Sequence, residues 1–200
     1  SESFGSDELL KREFIAEIGA VLAFSATQNN DKIGAILFSD QIELYIPPKK
    51  GRKHILRIIR ELIEFKPKSN LTNIGEVVQH FNNLVKKRAI AFLISDFIGQ
   101  NLEKALKITA KKHDLIALRI FDQREKELPN MGLTLFEDGE SGKRRWINTN
   151  KKRVRETYYN NSLSREHNIL EIFKKSKVDH ANICIQSGYI QPLMNLFKKR

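Results

Sequence analysis

Cysteine is nearly missing from this chain: Cys184 stands alone in 200 residues. A single thiol makes neither an internal disulfide nor a zinc site, so nothing points to an oxidising compartment, and the compartment this predicts is the cytoplasm. Long hydrophobic runs are missing as well. The stretch AIAFLI at 89–94 is far shorter than the roughly 20 residues a membrane helix needs. The first residue is Ser1 and not methionine, and no signal-peptide pattern follows, which together predict a trimmed N-terminus. Neither a Walker loop, a G-x-G-x-x-G, a G-x-S-x-G elbow nor an H-E-x-x-H occurs, which excludes the ordinary P-loop ATPase, dinucleotide-binding, hydrolase and zinc-protease readings. The five histidines, His54, His80, His113, His167 and His180, are dispersed without ligand spacing, and surface or capping roles suffice for them.

Apolar residues make up 40% of the chain and charged ones 30%, an ordinary balance for a folded protein and one that predicts a single domain over 1–200. The net charge of +11 comes with basic clusters KKGRK (49–53), KKR (86–88), KRR (143–145), KKRVR (151–155) and FKKR (197–200). These are scattered, and aromatics such as Phe38, Phe92 and Phe121 fall in apolar segments, not among the basic residues where bases would stack. A solvated basic surface is the expected role, with nucleic-acid binding as the alternative.

Helical periodicity runs from Asp7 to about Gln28 through Leu10, Phe14, Ile18, Val21 and Leu22. Segments 32–39 and 42–46, rich in β-branched and aromatic residues and separated by Asp40-Gln41, read as a hairpin that Pro47 and Pro48 end. Helices are predicted over 54–65 and, after a polar loop, from Asn73 to about 87. There, Asn73 with Glu76 three residues on suggests a capping box. The run AIAFLIS (89–95) has the pattern of a parallel strand covered on both faces. Helix 101–112 and strand 115–121 follow, the latter ending at Asp122. A hairpin is expected over 132–148, a basic helical stretch over 151–177, a last strand over 181–186 and a closing helix over 189–197 with Pro192 in its first turn. Strands alternating with helices predict an α/β domain with helices on both faces of a mostly parallel sheet.

Ligands of such sheets bind at the carboxyl ends of the strands. Ser95 and Asp96 stand at one of those ends, and Thr72 lies in a loop at a helix mouth on the same predicted rim. Their oxygens suit a hard divalent cation, while capping roles explain the same residues equally well. The acidic residues Asp122, Glu125, Glu127, Glu137, Asp138 and Glu140 are expected to be turn and surface charges before acid–base catalysts. Cys184, on an apolar strand, is expected to be buried filler.

The segments SESFGS, NNDKIGAILFSDQIELYIPPKKGRKHILRIIREL (29–62), LTNIGEVV (71–78), FLISDF (92–97), KKHDLIALRIFDQREKELPNMGL (111–133) and YIQPLMNLFKKR resemble the von Willebrand factor A-like family of uncharacterised bacterial proteins whose genes accompany MoxR-type AAA+ ATPases. The resemblance covers practically the whole chain. It implies a von Willebrand A-type fold with a metal-ion-dependent adhesion site binding Mg2+, to which Ser1, Thr72 and Asp96 correspond, and a non-enzymatic interaction role with such an ATPase or its client. By the same resemblance, the first central strand and the rest of its Asp-x-Ser-x-Ser loop lie upstream of Ser1, in a longer parent. Asn73 stands where many relatives carry an aspartate, one charge fewer near the cation. A magnesium-dependent enzyme using Asp96 is the remaining reading, with no second motif in its favour.

Overall fold

The computed structural model describes residues 3–69, 71–99, 102–137 and 144–200, with side chains from Leu9 onward in the first helix. That helix, α1 (Ser3–Gln28), ends at a turn in which Asn30 takes a left-handed φ of 55°, a conformation asparagine tolerates better than most residues. Strands β1 (Ile33–Phe38) and β2 (Ile42–Lys49) form the expected antiparallel hairpin. The prolines do not end it. The register passes from Ala35↔Ile46 to Ile33↔Lys49, so a bulge absorbs Pro47 and Pro48, which have no N–H to give to a ladder.

Helix α2 (Arg52–Glu64) buries Ile55 and Ile58, and α3 (Ile74–Leu84) buries Ile74, Val77 and Val78. Helix α3 stops at Leu84, short of the expected 87. Strand β3 (Ile90–Ser95), helix α4 (Leu102–Lys112) and strand β4 (Asp114–Phe121) follow. A 3-10 turn at Gln123–Lys126 leads to a second hairpin, β5 (Leu133–Glu137) with β6 (Arg144–Asn148). The chain closes with α5 (Lys152–Ser176), β7 (Asp179–Cys184) and α6 (Ile190–Lys198).

The main sheet has the order β3-β4-β7, all parallel. Strand β4 is buried from Leu115 through Ile120, because helices cover both of its faces. On one face Leu106 of α4 and Phe173 of α5 pack with Leu115 and Ala117, and on the other Ile18 of α1 and Leu193 of α6 pack with Ile116 and Leu118. The α/β expectation holds. Strand β3 differs from its apolar sequence pattern: only Leu93 and Ser95 are buried, and Ile90 is 65% exposed. One edge of β3 pairs with β4, and its other edge opens onto a groove of about 2850 Å³ that β1 also lines.

The last strand starts two residues earlier than the apolar run suggests, because Asp179 pairs with Arg200 (Oδ2 to Nη1, 2.6 Å) and so lies comfortably at a sheet end. Cys184 therefore sits at the strand's end, half-buried and 3.1 Å from Gln186 Oε1, and is not core filler. Among the described residues no helix is long and apolar enough to cross a membrane.

The bulge at the two prolines makes Gly34 a close-approach position: a Cβ there would lie 2.6 Å from the Ile46 carbonyl oxygen and 3.0 Å from Pro48 N. Both are backbone atoms with little freedom to yield. Gly34→Ala is expected to lower stability by roughly 1–3 kcal/mol, the usual cost of overpacking, measured as a reduced urea midpoint with an unchanged m-value.

Candidate functional site

Strand β3 delivers Ser95 to the carboxyl edge of the sheet, and the chain then leaves through Phe97 in a left-handed conformation, φ 60°. For a bulky residue this costs roughly 1–3 kcal/mol. The ring offsets that cost. Phe97 is 1% exposed and stands edge-on to Phe173, with centroids 4.8 Å apart and planes at 87°. Burying such a side chain contributes about 1.5–3 kcal/mol, and the aromatic pairing about 0.5–1.5 more. Two side-chain bonds fix the turn as well. Phe97 N–H donates to Ser95 Oγ and Ile98 N–H to Asp96 Oδ1, each at 3.2 Å. With Phe97 drawn inward, Asp96 stays at the rim with its side chain 30% exposed.

Thr72 reaches the same rim. Asn73 caps α3, its side chain accepting from Glu76 N–H at 3.2 Å. Its own N–H donates to the Ser39 carbonyl at 3.4 Å, so the reciprocal half of a capping box is replaced by a tie to the end of β1. The Thr72 carbonyl oxygen lies 3.9 Å from where a Cβ on Gly99 would stand. The Thr72 loop therefore runs beside the loop that carries Asp96, and both residues line the groove. Ser1 lies outside the described residues.

A residue that sequence reasoning passed over completes the rim. Lys11 of α1 places Nζ 3.2 Å from Asp96 Oδ2 and 3.5 Å from Glu125 Oε1, with its side chain 19% exposed. Burial alone would lower the pKa of this ammonium, but the two carboxylates outweigh burial and raise it above 10.5. No local pattern joins positions 11 and 96. The signal available was a lysine three and four positions before Phe14 and Ile15, on the helix's apolar side.

Asp122, at the end of β4, is 4% exposed and not the surface charge expected. Its carboxylate accepts from Arg124 N–H (2.7 Å), Arg124 Nη2 (2.8 Å) and Gln186 Nε2 (2.6 Å). Burial pushes its pKa up, and these donors more than reverse that, leaving it below 3.8. The turn role assigned to Asp122 stands, since it caps the 3-10 segment. Glu125 and Glu127 are exposed as expected, Glu125 being tied to Lys11. Glu137 carries no described side chain, and Asp138 and Glu140 lie outside the described residues. His113 also departs from its expected surface or capping role: it is 1% exposed, its ring lies 4.7 Å from Phe81, and neither ring nitrogen has a partner. Burial, with Lys112 adding to it, lowers its pKa, so it packs as a neutral core ring.

Among the described residues no three His, Cys, Asp or Glu side chains converge on one point. A cation at this rim would rely on one carboxylate, Asp96, with neutral oxygens and water around it. That donor set suits Mg2+, which keeps several of its waters. Asp96 Oδ2, free of backbone donors, already faces a cationic group, so the position favours positive charge. The residues fit the ion in kind, on condition that Lys11 gives way.

Residues 1–168 match the family described as "Protein of unknown function DUF58". The chain belongs to this family. Curated relatives of the DUF58 chain include uncharacterised proteins of Mycobacterium tuberculosis and Mycobacterium bovis, 26% identical over 145 residues, or 71% of this chain. An uncharacterised protein of Mycobacterium avium is 29% identical over 101 residues, covering 48% of this chain and 59% of that relative. The DUF58 chain spans only 46% of the length of the first two. Two solved structures share its fold at 16% identity. The conserved hypothetical protein BatB of Bacteroides thetaiotaomicron superposes with a TM-score of 0.56 and an aerotolerance-related membrane protein of Bacteroides fragilis with 0.58, each match covering 94% of this chain and 88% of the other.

Two outcomes follow from the geometry. Phe97→Ala should destabilise by about 3–5 kcal/mol, read as a lower urea midpoint. The lowered pKa of Asp122 means its contribution is complete above pH 3.8 and is lost as pH falls through the folded value. Asp122→Asn should therefore cost about 1.5–3 kcal/mol at neutral pH and show a shallower fall in melting temperature in acid.

Proposed function

We propose that this chain is a non-enzymatic protein-interaction domain of von Willebrand A type, in which Ser1, Thr72 and Asp96 hold Mg2+ at the carboxyl edge of the sheet. The observation that carries this reading is the approach of the Thr72 loop to the Asp96 loop near Gly99, with Thr72 and Asp96 lining one groove. The groove supports the reading: β1 and β3 both line it, and among the described residues neither pairs with a strand across it.

Bound there, Mg2+ supplies an open coordination position that accepts a carboxylate oxygen of a partner. The chain's own contribution is positional. Ile98 N–H orients the Asp96 carboxylate, the buried Phe97 ring anchors its turn, and the Asn73 tie to Ser39 sets the height of Thr72. The binding role is supported by Asp122, whose carboxylate is taken up by Arg124 and Gln186 and so is not available as a base. By the family resemblance, the partner is a MoxR-type AAA+ ATPase or its client.

The test is capture of the ATPase by the protein, with Mg2+ and with chelator, for the wild type and Asp96→Ala. The substitution should weaken Mg2+-dependent capture at least tenfold, about 1.4 kcal/mol. Capture that is unchanged by Asp96→Ala overturns the adhesion mechanism. If capture also fades steeply with salt, the basic surface is the binding element and the nucleic-acid reading gains.

A further inference from the structure

Resting on the cation-site reading above, we infer that Lys11 is a tethered competitor for the cation position at Asp96, and that Glu125 is the place to which it withdraws. Asp96 has two oxygens with different fates. Oδ1 is committed to Ile98 N–H at 3.2 Å, with the Ser95 hydroxyl at 3.4 Å. Oδ2 takes only the Lys11 ammonium, also at 3.2 Å. An incoming divalent ion needs the oxygen that Lys11 already holds. An ammonium and a doubly charged ion sharing one carboxylate oxygen repel strongly at such separations, so the two states exclude each other.

The geometry also supplies the alternative state. Glu125 Oε1 is 3.5 Å from the same Nζ, and its side chain is 52% exposed, against 30% for Asp96. A small rotation of the lysine stem therefore exchanges a partly buried partner for a more exposed one without stranding the charge. The tether is α1, whose Ile18 packs in the core, so the ammonium is held near the rim whichever carboxylate it contacts. Lys11 in this way sets a threshold for divalent-cation binding and keeps Asp96 neutralised below it.

Mg2+ titration of the protein by calorimetry, with Mn2+ resonance spectroscopy as a second readout, tests this on the wild type and four variants. Lys11→Met keeps the apolar stem and removes the charge, and should tighten binding about tenfold or more. Lys11→Arg keeps the charge and should not tighten it. Glu125→Gln, which removes the place of withdrawal, should weaken binding severalfold. Asp96→Ala should abolish it. Amine acylation at Lys11 should also rise on Mg2+ addition. Loss of binding in Asp96→Ala with Lys11→Met unchanged or weaker overturns the competition and leaves the cation site standing. Tightening by both Lys11 variants assigns the effect to packing and also overturns it. Absence of binding in both wild type and Lys11→Met, or binding indifferent to Asp96, overturns the cation-site reading and this inference with it.

Discussion

The edge-on contact between Phe97 and Phe173 governs the geometry of the rim. It joins the loop after β3 to the middle of the core under α5, where Phe173 also lies 5.0 Å from the His180 ring. A left-handed turn at a phenylalanine persists because the surrounding packing over-determines it. The position of Asp96 is thus decided by interior packing more than by the loop that carries it. A carboxylate fixed in this way can present one defined oxygen to a ligand without paying the entropy of ordering a mobile segment.

Charge compensation is the second organising constraint. In a chain of net charge +11, carboxylates near the sheet ends draw cations from elsewhere in the fold. Glu166 of α5 receives Arg119 at 3.3 Å and Lys126 at 2.7 Å, and both cations also lie over the Phe121 ring. Arg200 bridges Asp114 and Asp179 at the amino ends of β4 and β7. Isolated buried charges would be costly, whereas paired and hydrogen-bonded ones are tolerated. Within this scheme Lys11 reaches Asp96 across 85 positions of sequence and lines the groove, while Arg124 and Asp122 are near neighbours on one turn.

The parts of this structure written in local patterns were legible in the sequence. A mostly apolar segment interrupted by Arg119 identified β4, helical spacing identified the helices, and Asn73 with Glu76 marked the start of α3. What escaped depends on long-range partners. Pro47 and Pro48 read as a strand end because a bulge is invisible without knowing that Gly34 lies opposite. The last strand read from 181 leaves out Asp179 and His180, whose partners Arg200 and Phe173 lie outside the strand. The burial of Asp122 and His113, and the reach of Lys11, are likewise set by other elements. Of the candidate site, the strand end that carries Ser95 and Asp96 was legible, and the Lys11 ammonium beside Asp96 was not.

The sheet is braced unevenly. Strand β4 has hydrogen-bonded neighbours on both edges and helices on both faces, whereas β3 is held along one edge and leaves the other facing the groove. Protection of backbone amides against solvent deuterium should therefore fall from β4 outward to β3. The strand that carries Asp96 belongs to the softer margin of the molecule. Whatever pairs with its open side would stiffen the rim without touching the carboxylate itself.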